Sequence, residues 1–249
     1  MSREKIINTK TNSKAAINLK AALLNYHDFQ LNNPPSKDNQ NHKLKLAEWQ
    51  SQRLKHSHND FYASPAYQNG LNFLFTDLYS TEDFSQRDQD LERIFPKMVK
   101  YLPNAILDTV SLLIELNLLT QQLDSLLAQT IFDDLEYPSI NESSYCEAYR
   151  SCNNKNSRLK QIQLTSELGR KLDKYARSSV IKFTLKITES PAEMAGLGAL
   201  HHFLCQGFTA FHHMPAVNEL MQAITDRELK TLDAIYDGQT SPFNFTLNL

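Results

Sequence analysis

The stretch NAILDTVSLLIELNLLTQQLDSLLAQTIF, Asn104–Phe132, decides the fold class. Apolar side chains cover most of its helical circumference, and Asp108, Glu115 and Gln122 recur every seven residues as a narrow polar strip. A helix with that distribution belongs at the centre of a bundle, because only neighbours on several sides keep so wide an apolar surface from water. Its most apolar part, Ala105–Leu119, is interrupted by Asp108, Thr109, Ser111, Glu115 and Asn117. A membrane span needs about 20 mostly apolar residues, so a soluble helix and no membrane span are expected.

Helical signals continue on both sides. Ser13–Gln30 places Ala16, Leu19, Leu23 and Tyr26 on one stripe. Asn32–Asn41 has the composition of an exposed linker. A second helix is expected from about Lys43 to Tyr62, and a third from Pro65 to Tyr79, where proline suits the first turn. Ser80–Asp83 then turns into a short charged helix, and Pro96 and Pro103 bracket the next segment. Beyond the central helix, 133–156 is turn-rich, with a helical turn or two around Tyr145–Arg150. A helix follows over about Ser157–Ile187, although Val180–Leu185 has strand-forming composition. Ser190-Pro191-Ala192-Glu193 is a helix-start pattern, opening a helix to Met214. The last helix, about Ala216–Tyr236, stops at Gly238, and Pro242–Phe245 is expected to fold back as an apolar strap. The fold class is all-α, a multi-helix bundle-like domain over 13–249 with an exposed linker near 32–41 and a flexible polar segment at 1–12.

Composition narrows the function classes. The chain has 249 residues, 41% of them hydrophobic, enough for a sizeable core. A formal charge of −2 offers no positive field to phosphate backbones, so nucleic-acid binding is not expected. Three cysteines without a C-x-x-C pair suit a reducing cytoplasm, and Met1–Lys14 lacks the apolar core of a secretory signal.

Motifs of established chemistry are missing. There is no G-x-x-x-x-G-K-[ST], G-x-G-x-x-G after a strand, G-x-S-x-G or E-x-x-H. His201 and His212 share a helix face but lie about 16 Å apart, too far for one ion. His201 and Cys205, at i and i+4, supply only two ligands. His56 and Asp60 share a face at i and i+4, while His58 lies off it. No metal site and no cofactor are predicted, with His56 and His202 as the weak candidates. The aromatic block Asn72–Tyr79 carries one carboxylate, Asp77, among Phe73, Leu74, Phe75, Leu78 and Tyr79. A buried acid there needs a cation, for which Arg87 or Arg93 is placed. Phe73, Phe75, Asp77, Tyr79, Arg87, Arg93 and His58 are therefore the candidate ligand or partner surface.

This block, together with Trp49, Arg53-Leu54, His58, Asp60, Tyr67, Arg87-Asp88, Asp90, Arg93, Pro96, Met98, Leu102-Pro103, Leu123-Asp124, Gln161-Ile162, Pro191-Ala192, Ala195-Gly196-Leu197, Gly207-Phe208, Ala210-Phe211 and Arg227-Glu228, resembles the FFLEELY-motif family of bacterial proteins. At Leu74, Phe75, Thr76 and Asp77 the name motif reads Phe, Leu, Glu and Glu, so one acid is lost and the other shortened. The resemblance implies a bacterial, cytoplasmic domain and transfers no activity. The expected function is a non-catalytic protein-interaction or self-assembly module, with an unknown partner protein or a second copy. The alternative is a helical bundle that binds a small apolar ligand, haem or metal, with possible oxidoreductase chemistry.

Overall fold

The computed structural model describes residues 2–34, 37–77, 93–100, 102–194 and 198–243, and among these every regular element is a helix. In chain order they are α1 Ser2–Asn8, α2 Lys14–Asn32, α3 Lys37–Ser57, α4 Asn59–Tyr62, α5 Pro65–Asn72 and α6, residues 93–100. There follow α7 Asn104–Gln129, α8 Glu142–Ser151, α9 Lys155–Ala176, α10 Ser179–Met194, α11 Gly198–His212 and α12 Val217–Tyr236. One turn of π-helix extends α5 at Phe73–Asp77 and another extends α7 at Thr130–Asp134. No helix of the described residues is long and apolar enough to cross a membrane.

Cα proximity groups the chain into two compact units, each assembled from three stretches. The first comprises 1–34, 82–118 and 171–213, the second 35–81, 119–170 and 214–249.

The first unit has a hydrophobic core. Ala16, Leu19, Leu23 and Tyr26, the stripe read from the sequence, are all buried and meet Phe95 and Met98 of α6 and Leu107 and Ile114 of α7. Ser13 caps α2, its hydroxyl accepting from the Ala16 N–H at 3.2 Å. Ile6 of α1 is fully buried in the same core. The Lys20 ammonium donates to the carbonyls of Ile7 and Thr9, satisfying acceptors that the end of α1 leaves open.

Three boundaries differ from expectation. Residues 37–41, expected within the linker, are helical. The segment expected as one helix over Ser157–Ile187 is interrupted at Arg177 and Ser178, where the Ser178 hydroxyl accepts from the Ile181 N–H. Val180–Leu185 is helical, as expected, its strand-forming composition notwithstanding. Pro191 lies in the last turn of α10 rather than opening a helix. The expected charged helix after Asp83 lies outside the described residues.

In the second unit the core is strongly aromatic. Trp49 stacks on Tyr145 with ring centroids 4.2 Å apart, and Phe243 meets Trp49 edge-on at 5.7 Å, as the expected strap requires of its first aromatic residue. Asn141 and Ser144 form a reciprocal capping box at the start of α8. Gly238, at φ +73°, terminates α12 in the left-handed conformation that glycine adopts without Cβ strain.

Leu19→Ala is expected to lower stability by about 2–5 kcal/mol, the range for a fully buried leucine. Ile17→Ala, on the exposed face of the same helix, is expected to change it by less than about 0.5 kcal/mol. Urea unfolding midpoints at constant slope check the pair.

Candidate functional site

α3 stops at Ser57 because His58 leaves the helical region, at φ −119° and ψ 27°, before α4 resumes. That interruption is held from α12. Arg227 donates to the Ser57 carbonyl at 3.2 Å and to both oxygens of Asp60 at 2.6 Å each. The hydrogen-bonded Arg227 guanidinium, despite partial burial, holds the Asp60 carboxyl below its ordinary range. The expected His56–Asp60 pairing is thereby corrected: the helix does not run continuously from one to the other, Asp60 faces Arg227, and His56 is exposed.

One residue further along α12, Glu228 receives two hydrogen bonds from Nη1 of Arg53, at 2.6 and 2.7 Å, and one from Nε2 of His58 at 3.2 Å. His58 is fully buried, and its ring lies 5.6 Å from that of Phe75. Burial alone would raise the Glu228 carboxyl, but the Arg53 charge and the His58 contact outweigh it and hold it at about 2. Arg53 and Glu228 therefore stand as an ionised pair.

A cavity of about 70 Å³ opens beside this pair, between α3, α8, α9, α12, the π-turn after α5 and the second half of α7. Its wall carries a second pair, Arg158 of α9 and Asp124 of α7. Their separation of 3.5 Å is long for a charge-assisted hydrogen bond, which spans about 2.7–2.9 Å. Arg158 is 3% exposed and donates to Gln161 at 3.1 Å and to the Leu123 carbonyl at 3.3 Å, and it lies 4.7 Å from the centre of the Tyr149 ring. Gln161 in turn donates to Thr120 at 2.9 Å, and Gln50 to Asp124 at 3.2 Å. Burial pushes the Asp124 carboxyl above its ordinary range, and Arg158 and Gln50 offset this only in part. The buried phenols of Tyr145 and Tyr149 are likewise raised and stay protonated. Among the described residues, the Nε–H groups of Arg53 and Arg158 have no acceptor.

The predicted residues divide. Phe73 and Phe75 are buried in the second unit with Leu74, and Leu74 and Phe75 line the cavity. A regular helix would turn three consecutive residues through about 200°, and the π-turn is where these three all face inward. His58 touches Glu228, and Arg93 is exposed on α6 in the first unit. Tyr79, Arg87 and the side chain of Asp77 lie outside the described residues, and with them the expected Asp77–arginine pair. His202 is exposed, His201 donates to the Leu185 carbonyl at 2.9 Å, and His212 donates to that of Ala176 at 2.7 Å. Among the described residues no group of three or more His, Cys, Asp or Glu side chains could hold a metal ion.

Sequence reasoning missed Glu228, Arg158, Asp124 and Gln161 as site residues. The signal that finds them is a polar residue on an apolar helical stripe. Glu228 follows Met221 and Ile224 and precedes Leu232 and Ile235, and Arg158 and Gln161 precede Leu164 and Leu168.

Glu228→Gln is expected to cost about 3–5 kcal/mol, because it leaves the Arg53 charge buried and uncompensated. As pH falls below 4.5, the unfolded chain protonates Glu228 while the folded chain keeps it ionised down to about 2. Unfolding then takes up a proton, so this contribution is complete above that window and is lost progressively within it, by on the order of 3 kcal/mol. Denaturant titrations from pH 6 to pH 2 should show a steeper acid loss for the wild type than for Glu228→Gln.

Searches of curated proteins and of solved structures returned no match. The model of a family described as a domain of unknown function, DUF8198, matches residues 30–242, which takes in every residue of the cavity wall, and the chain belongs to that family.

Proposed function

We propose that the protein is a binding module for a small polar molecule, with the second-unit cavity as its site. The observation that carries this is a cavity walled by two largely buried ion pairs. Apolar cores close to near-crystal density, and burying four charged groups costs stability that aliphatic packing would not. A wall of this kind is typical of ligand pockets, which combine apolar and aromatic surface with a few placed polar groups. The volume is several times the roughly 10–15 Å³ that one water occupies on the same measure. The charged groups in an otherwise largely apolar wall favour a ligand with a polar group over the wholly apolar one of the alternative sequence reading. The π-turn at the wall adds support, since such turns concentrate at functional positions.

A second reading, association with a partner protein or another copy, is supported by α10 in the first unit. Phe183, Ile187 and Met194 fall on one stripe of that helix and are 63%, 55% and 89% exposed. Light scattering across a concentration series tests self-association, with Phe183→Glu and Ile187→Glu expected to abolish any concentration-dependent mass.

For the cavity, native mass spectrometry of untagged protein is expected to show a small bound molecule, or a thermal-shift screen of small polar compounds to raise the melting temperature by roughly 5 °C at saturation. Thr225→Leu places a larger side chain in the wall without removing a charge, and should abolish the shift while leaving the unliganded melting temperature within a few degrees. A shift that persists in Thr225→Leu would place the ligand elsewhere.

A further inference from the structure

Each charged group of the wall differs in what it still lacks. Glu228 accepts from Arg53 and His58, so its carboxylate is satisfied and its pair with Arg53 is electrically neutral. Arg158 spends Nη1 on Gln161 and Nη2 on the Leu123 carbonyl, and reaches Asp124 only at 3.5 Å. Among the described residues, Nε–H of Arg158 and of Arg53 have no acceptor, although both atoms are buried and both residues line the cavity. A buried donor without an acceptor costs the full desolvation of that group. Two such donors at one cavity call for a ligand rich in acceptors. A carboxylate is the group that matches guanidinium donors in charge and geometry.

Charge balance then limits the site. The four ionised wall groups sum to zero, so an added anion leaves an uncompensated negative charge in a poorly solvated space, which is costly. The balance returns if Asp124 takes a proton. Its neighbours show why it is the acceptor. Lys43 and Gln50 of α3, Tyr145 of α8 and Arg158 of α9 act on Asp124, and Arg53, Tyr149 and Glu228 line the same cavity. The tyrosines are already protonated, the arginines and lysine carry no acceptor, and Glu228 is held ionised by Arg53. A second carboxylate beside Arg158 raises the proton affinity of Asp124 further, and the protonated acid donates a hydrogen bond to the incoming anion.

We propose that the cavity takes up a short-chain monocarboxylate together with one solvent proton, the carboxylate lying against Arg158 and Arg53 and the proton residing on Asp124. This rests on the cavity being a ligand site. No covalent bond changes: the proton bound by Asp124 comes from solvent and returns there on release.

Isothermal titration calorimetry of the full chain with acetate, propionate and butyrate, against acetamide and propionamide, tests it. Titrations at pH 7 in two buffers of different ionisation enthalpy count the protons. The expected result is binding of at least one acid, at least tenfold weaker binding of its amide, uptake close to one proton, and affinity falling about tenfold per pH unit above neutrality. Asp124→Asn, which carries a neutral donor in place of the protonated acid, should bind the acid with no proton uptake and no pH dependence over the same range. Carboxylate binding without proton uptake in the wild type overturns the coupling, a count that does not depend on the variant folding. Amides binding as well as acids overturns the ligand class and leaves the cavity reading standing. Binding of neither, with no compound shifting the melting temperature, overturns the cavity reading itself.

Discussion

Arg53 and Glu228 come together 175 residues apart in sequence, with their charged ends 2.6 and 2.7 Å apart and their side chains 12% and 14% exposed. Moving either charge out of water alone would cost several kcal/mol, so the second unit forms only in arrangements that keep them paired. That constraint reaches outward. α12 must present Glu228 to α3, and Arg227, its neighbour, then reaches the carbonyl at the end of α3 and Asp60 beyond it. The break at His58 follows, since it lets the imidazole reach the same carboxylate that Arg53 holds.

The two units use different means of stability. The first packs aliphatic and aromatic side chains against one another, with Ile6, Leu19, Phe95 and Leu107 essentially out of water. The second combines an aromatic core around Trp49, Tyr145 and Phe243 with a network running from Gln50 through Asp124 and Arg158 to Gln161 and Thr120. Each member of that network needs specific partners, which is why the space between them is not closed by apolar side chains. Polar groups held in place and room left beside them are the two requirements of a binding site.

Much of the architecture was legible along the chain because it depends on local periodicity and capping. Ala16, Leu19, Leu23 and Tyr26 announced the buried face of α2, and Ser13 its start. Gly238 announced the end of α12. Local signals failed at two places. Ser190-Pro191 has the chemistry of a helix start, yet α10 runs through it. His56 and Asp60 have helix-pair spacing, yet the helix breaks between them because Arg227 offers Asp60 a better partner.

The candidate site was legible only in outline. Phe75 and His58 were suspected from an aromatic block and a lone imidazole, and both lie at or beside the cavity. Arg53, Asp60, Asp124, Gln161 and Glu228 were visible as residues but not as partners. Helix content, the principal buried stripes and the chain's charge follow from spacings of three, four and seven residues, which any stretch of the chain carries within itself. The pairing of Arg53 with Glu228, the shortfall at Arg158 and the cavity between them depend on side chains tens to well over a hundred residues apart, and only the packing of α3, α7, α9 and α12 brings those charges to one place.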